Sequence, residues 1–247
     1  MYFLKEYILE NFKVDYAGLN YYFDSCSNIS GVDVKSTILS DDDVKTLNSE
    51  YEFILLDNYG NPLKNKSTVV SIGSRNYTLS TDENGTVRLL INLNQGNYII
   101  KITNPINNEF KTQNIKVIKR ITENTGFTMY YGAGKAYTVR VFDDNGNPAA
   151  GVKVNFTING RSFERVTNSE GYALLKLYLD PGKYVITAEY KGFKVANNVV
   201  VKPTIITKNQ VYKKGKTTAF NAKLLASNGN ILKNKVVIFK FKGKTYK

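Results

Sequence analysis

The chain has no histidine, no tryptophan, one cysteine and two methionines in 247 residues. Without histidine, zinc sites lose their commonest nitrogen donor and proton-transfer chemistry its commonest general base. A lone Cys26 excludes any disulfide within the chain and reads as an inert thiol. The absence of tryptophan removes the ring on which sugar-stacking platforms most often rely. No run of apolar residues approaches the length of a membrane span. At the N-terminus, MYFLKEYILENFK sets Lys5, Glu6 and Glu10 inside what a secretion signal needs as an apolar core, so export is expected to depend on sequence outside this stretch. Apolar residues at three- and four-residue spacing are also missing over any helix-length stretch, which turns the reading towards strands.

The composition is globular, 42% hydrophobic and 13% aromatic, too apolar for a disordered chain. Thirty-four basic against 21 acidic residues leave a formal net charge of +13, spread mainly over scattered lysines with no run longer than Lys213-Lys214. Such lysines read first as a solvated sheet face, and second as attraction to an anionic partner such as a cell-wall polymer or membrane surface. No nucleic-acid partner is expected, because the basic residues alternate with core-type residues and form no arginine-rich stripe.

What the chain does have is a repeat. YEFILLDNYGNP at Tyr51–Pro62 returns as YTVRVFDDNGNP at Tyr137–Pro148 and as FNAKLLASNGN at Phe220–Asn230, with Gly60, Gly146 and Gly229 spaced 86 and 83 residues apart. In the central copy Val154, Phe156 and Ile158 alternate with polar residues, Asn159-Gly160 supplies a tight hairpin, and Phe163 begins the returning strand. Tyr172–Leu179 is a second apolar run, closed by Asp180-Pro181-Gly182, and Tyr184, Ile186, Ala188 and Tyr190 alternate again. Roughly seven short strands with turns at about ten-residue intervals predict an all-β chain of tandem immunoglobulin-like β-sandwiches. The expected division is a partial unit at 1–35, full units at 36–120 and 121–203, and the first half of a unit at 204–247. Phe12, Val14 and Tyr16 match closing strands, so the two partial ends would complement one another head to tail between copies. The last stretch is expected to be poorly ordered or paired with something else.

The cycle GNPxxGVxVxFxING, then TNxxGxAxLxLxLxPGxYxITAxYxG, then VVVKPTI, fullest between Gly146 and Ile205, resembles the immunoglobulin-like repeats of the large adhesin-like surface proteins of methanogenic archaea, which are similar to bacterial Ig-like repeats. It is more weakly similar to collagen-adhesin B-type and carboxypeptidase-regulatory-like sandwiches. The resemblance implies an extracellular, cell-surface segment of a stalk, with neighbouring repeats and an unknown surface ligand, polysaccharide or protein, as partners. It implies no enzyme and no cofactor. The Asn104–Asn108 insert, absent from the next unit, is the expected variable loop.

Candidate chemistry is sparse. Asp41, Asp42 and Asp43 form the densest carboxylate cluster and are the weak candidates for a calcium site, placed by the repeat register between two units; no EF-hand spacing accompanies them. Asp143-Asp144-Asn145-Gly146 has metal-loop residues too, although a turn demands the same ones. An isopeptide bond, which the B-type resemblance would bring, has Lys176 as its nearest lysine. Glycosylation sequons occur at Asn28, Asn65, Asn76, Asn84 and Asn155, each expected on a turn or a polar strand face. Tyr130-Tyr131, Tyr21-Tyr22 and Tyr190 are the candidates for a sugar-binding surface. Two functions therefore stand: an adhesive stalk, or a carbohydrate- or wall-polymer-binding module acting through a basic, tyrosine-bearing sheet face.

Overall fold

A computed structural model describes residues 35–213, 215 and 219–246. Residues 12–18, Tyr21-Tyr22, Cys26 and Asn28, singled out above, lie outside the described residues. All regular structure among the described residues is β-strand. The described residues form two compact units, one of residues 35–120 with Phe142–Asn147, the other of Ile121–Val141 and the described residues from Pro148 onward.

The first unit contains β1 (Ile38–Leu39), β2 (Asp43–Thr46), β3 (Glu50–Leu55), β4 (Ser67–Ile72), β5 (Arg75–Ser80), β6 (Thr86–Leu90), β7 (Gly96–Thr103) and β8 (Phe110–Ile118). They make a three-stranded sheet in the order β1-β3-β6 and a five-stranded sheet in the order β2-β8-β7-β4-β5. Thr68, Val70 and Ile72 point inward from β4, as strict alternation requires, while their neighbours face solvent or the sheet margin. Tyr51, Phe53, Leu55, Val87 and Leu89 of the small sheet pack with Val70, Ile100, Ile102, Ile115 and Val117 of the large one in a single core. Each such side chain taken from water contributes about 1.5–3 kcal/mol.

The second unit repeats the plan with β9 (Ile121–Thr122), β10 (Phe127–Tyr130), β11 (Ala136–Val141), β12 (Lys153–Ile158), β13 (Arg161–Val166), β14 (Tyr172–Lys176), β15 (Gly182–Tyr190) and β16 (Phe193–Lys202). Its sheets run β14-β11-β9 and β10-β16-β15-β12-β13. Tyr137, Val139, Val141, Val154, Phe156, Ala173, Leu175, Ile186, Ala188, Val199 and Val201 close its core. In both units one antiparallel strand array is bounded by a parallel pair, β2 on β8 and β10 on β16. Two sheets packed face to face, with chain crossings between them, make each unit an immunoglobulin-like β-sandwich.

Beyond Lys202, β17 (Ile205–Thr207) pairs with β18 (Ala222–Leu224), and β19 (Phe239–Phe241) with β20 (Lys244–Tyr246), as two separate ribbons. Phe220 meets Phe239 edge-on at 5.5 Å. Leu225 is buried, whereas Ile205, Phe220, Val236, Ile238 and Phe241 stay exposed, as expected of a sheet face with little to pack against.

Turn chemistry fixes the connections. Asp57 Oδ1 accepts the amides of Tyr59 and Asn61, and Asp143 Oδ1 those of Asn145 and Asn147, all at 2.9 Å. Asp82 and Asn168 do the same for the β5–β6 and β13–β14 turns. Asn159-Gly160 adopts φ of 51° and 70° in a two-residue hairpin, as its sequence predicts. The Asn104–Asn108 insert is pinned rather than loose. Asn104 is wholly buried and donates to Thr37 Oγ1 and the Leu56 carbonyl, each at 2.8 Å, and Asn107 donates to Asn58 at 2.9 Å. Glu109 accepts from Ser36 and from both the amide and the hydroxyl of Thr37.

Gly85 has φ of +74°, and a Cβ there would sit 2.5 Å from the Leu55 carbonyl oxygen, whereas one at Gly60, φ +83°, would meet open space. Gly60→Ala is therefore expected to cost about 1 kcal/mol, the left-handed backbone penalty alone. Gly85→Ala is expected to cost at least about 3 kcal/mol, because the clash is added. Denaturant midpoints of the two variants decide this, and equal losses would refute the packing account.

Tyr51 and Tyr137 occupy equivalent core positions, and burial pushes both hydroxyls up to about 12 from 10.0. A pKa raised on folding means that the folded state resists ionisation, so this stability is complete below pH 10 and is lost as pH rises through about 12. An ultraviolet titration is expected to show these two rings ionising only with unfolding. The Tyr51→Phe, Tyr137→Phe double variant should flatten the alkaline fall in stability; an unchanged fall would contradict it.

Candidate binding groove

β13 is the outer strand of the five-stranded sheet and β14 the outer strand of the three-stranded one, and the chain passes directly from one to the other through Thr167–Gly171. The side of the second sandwich between these strands is open. Period-two alternation puts Arg161, Phe163 and Arg165 on one face of β13. Phe163 packs against the core, so the two arginines flank it on the inward side. They are separated along the strand by roughly 13 Å.

Opposite them, β14 and its continuation supply Leu175, Leu177 and Leu179 as a floor, with Lys176 and Tyr178 at the rim. The resulting groove encloses about 560 Å³ and also takes in Ile158 and Asn159. Its charged lining residues are Arg161, Arg165 and Lys176, all cationic. Among the described residues none of these three forms a salt bridge. Arg165 Nη1 donates to the Glu164 carbonyl at 2.7 Å. The Tyr178 ring is 78% exposed and lies beside Gly134, where a Cβ would approach it to 3.2 Å.

The residues singled out from sequence are dispersed. Tyr190 is 7% exposed and belongs to the core, Tyr131 is exposed beyond β10, and Tyr130 lies 5.9 Å under the Lys202 ammonium, so these three form no common platform. Tyr190 shares the inner face of β15 with Ile186 and Ala188. Lys176 is exposed at the groove rim and not in the core. Asn65, Asn76, Asn84 and Asn155 are all exposed, Asn76 on the outer strand β5 and Asn84 in a turn. Asn65 Nδ2 donates to Glu83 at 2.6 Å.

Asp41–Asp43 do not lie between units. They sit where the chain crosses from β1 in one sheet to β2 in the other, because both strands belong to the first sandwich. Their groups diverge into separate tasks. Asp41 gives its main-chain carbonyl to the Tyr51 hydroxyl at 2.8 Å. Asp42 receives the Asn114 amide and side chain at 2.7 and 3.0 Å, which hold its carboxyl below the usual range. Asp43 accepts the Val44 amide at 2.7 Å and ion-pairs with Lys45 at 2.9 Å. In the Asp143–Gly146 turn, Asp143 is committed to backbone amides, and Asp144 pairs with Arg120 of the same unit at 2.7 Å. No cluster of three or more His, Cys, Asp or Glu among the described residues is arranged to hold a metal ion.

No protein-family model and no curated protein matches the chain. Solved structures do. A Bacteroides ovatus mixed-linkage glucan utilization protein, SGBP-B, in complex with a mixed-linkage heptasaccharide is similar at 14% identity over 66% of this chain and 44% of that one, TM-score 0.24. A Ca²⁺-stabilized adhesin with which an Antarctic bacterium binds ice is similar at 14% identity over 70% and 52%, TM-score 0.30. The I9–I11 tandem of titin is similar at 13% identity over 84% and 85%, TM-score 0.37. The chain thus spans under half of the first of these and about half of the second. At such identities the likeness concerns the fold alone.

With Asp41–Asp43, Asp143 and Asp144 engaged as described, adding millimolar calcium or a chelator is expected to leave the melting midpoint unchanged within about 1 °C. A rise of several degrees with calcium that disappears in an Asp41→Asn, Asp43→Asn variant would establish a site there.

Proposed function

We propose that the chain is a non-enzymatic, load-bearing segment of an adhesive surface protein, its immunoglobulin-like units set in tandem on the cell exterior. The observation that carries this reading is the parallel pairing of the second strand of each sandwich with its last. Asp43–Thr46 lies beside Ile115–Ile118, and Phe127–Tyr130 beside Val199–Lys202. The Tyr131 amide extends the second ladder by donating to the Lys202 carbonyl at 2.9 Å. β1 and β9 open their units on antiparallel partners in the other sheet; once tension has drawn them off, it reaches the parallel pair of second and last strands, slides one along the other and loads all its rungs together. An antiparallel terminal pair would be peeled one rung at a time. The repeated cores and turn-committed carboxylates agree with a mechanical part, and among the described residues they offer no set of nucleophile, acid and base for catalysis.

A second reading, binding of a carbohydrate or wall polymer, is favoured by the cationic, tyrosine-rimmed groove of the second unit. It is compatible with the first, since a stalk can carry a ligand site.

Single-molecule pulling on the chain is expected to give one rupture per sandwich, each releasing roughly 25 nm of chain. Tyr131→Pro deletes a rung of the second ladder without touching the core, so it should lower the rupture force of that unit alone. Rupture of both units at the low force of a peeled hairpin, unaltered by the proline, would refute the load-bearing reading.

A further inference from the structure

We propose that the groove between β13 and β14 binds an acidic polysaccharide, with Arg161 and Arg165 receiving uronate carboxylates and Tyr178 stacking on a sugar ring. The inference deepens the adhesive reading above by giving it a site and a ligand class.

Charge makes the first selection. Three cations line the groove, no carboxylate does, and none of the three is neutralised by an ion pair among the described residues. A guanidinium presents two parallel N–H donors to the two oxygens of a carboxylate, a fit that a lysine does not provide. Both arginines stand on the same strand face with the apolar floor between them. A ligand with anions at intervals along an otherwise ring-built, partly apolar chain matches this alternation of cation and hydrocarbon.

The edge geometry selects sugar over peptide. An extended peptide joining the free side of β13 would need that strand's unpaired main-chain acceptors. Arg165 already occupies the Glu164 carbonyl at 2.7 Å, which blunts the edge against strand addition. The exposed face of Tyr178, which lies beside Gly134, suits ring stacking, which asks nothing of the main chain.

The first sandwich supplies an internal control. At the spacing of 86 residues, Arg161, Arg165, Lys176 and Tyr178 correspond to Arg75, Leu79, Leu90 and Asn92. One cation of three survives there and the tyrosine is lost, on the same β5–β6 backbone plan. The shared fold therefore does not demand these side chains at the sandwich edge, and their convergence in one unit is what a binding site requires.

The test is calorimetric titration of the 247-residue chain with polygalacturonate, with neutral dextran and polyglutamate as companions, at physiological ionic strength. Polygalacturonate is expected to bind and dextran not to. Arg161→Gln with Arg165→Gln should weaken binding at least about tenfold, and Tyr178→Ala about fivefold. Lys66→Gln with Arg75→Gln removes the same charge from the first unit and should leave affinity within about twofold. Equal losses in the two charge variants would overturn the site in favour of diffuse attraction. So would polyglutamate binding as tightly as the polyuronate, or Tyr178→Ala without effect. Melting midpoints of all variants show whether each is folded, and the Arg161→Lys, Arg165→Lys variant, which keeps charge but loses the fork, should lie between wild type and the glutamine pair. Rupture forces should be the same for the groove variants and the wild type, so failure here and failure of the load-bearing reading are told apart.

Discussion

The close approach of a turn glycine to the end of the second strand of the small sheet is the constraint on which each sandwich depends. In the first unit the Leu55 amide donates to the Gly85 carbonyl and the Leu55 carbonyl accepts the Leu63 amide, both at 2.9 Å. In the second, Val141 stands in the same relation to Gly171 and Ala149, at 2.9 and 3.0 Å. One residue thereby ties together the end of its own strand, the turn before the next strand of its sheet, and the loop leading into the other sheet. A side chain at Gly85 or Gly171 would overlap the carbonyl of Leu55 or Val141. The knot therefore fixes the register of the small sheet against the large one, and the apolar core forms on the surface thus defined.

Much of this was readable from the order of residues. Alternation along Val154–Ile158 and Tyr184–Tyr190 gives the buried face of two central strands, and Asn159-Gly160 gives the hairpin, because each depends on neighbours in sequence. Asp57, Asp82 and Asp143 announce turns for the same reason: a short carboxylate accepts amides two and four residues ahead. Burial raises the Asp57 carboxyl while those amides lower it, with a net shift downward. Residues that resembled metal ligands are thus spent on the backbone.

The rest depended on partners distant in the chain. β2 and β10 are four residues long, too short to display a period, and their parallel pairing with strands about 70 residues away leaves no local trace. Asp41–Asp43 are adjacent in sequence without converging in space, because Asn114, Val44 and Lys45 draw the carboxylates of Asp42 and Asp43 apart. The groove leaves no local trace, because Arg161 and Arg165 lie on the outer strand of one sheet while Tyr178 lies beyond a turn on the other. Its one sequence signal was the contrast between aligned repeats, in which Leu79, Leu90 and Asn92 give way to Arg165, Lys176 and Tyr178.

The 86-residue correspondence of the β5–β6 and β13–β14 edges runs without insertion or deletion from Thr68 to Tyr98 and from Val154 to Tyr184. Outer-strand residues can therefore diverge while the glycine knot and the core stay constant. The edge behaves as an interchangeable cassette. An array of such units can diversify what it touches by point substitution alone, copy by copy, and the two copies here are already different settings of one scaffold.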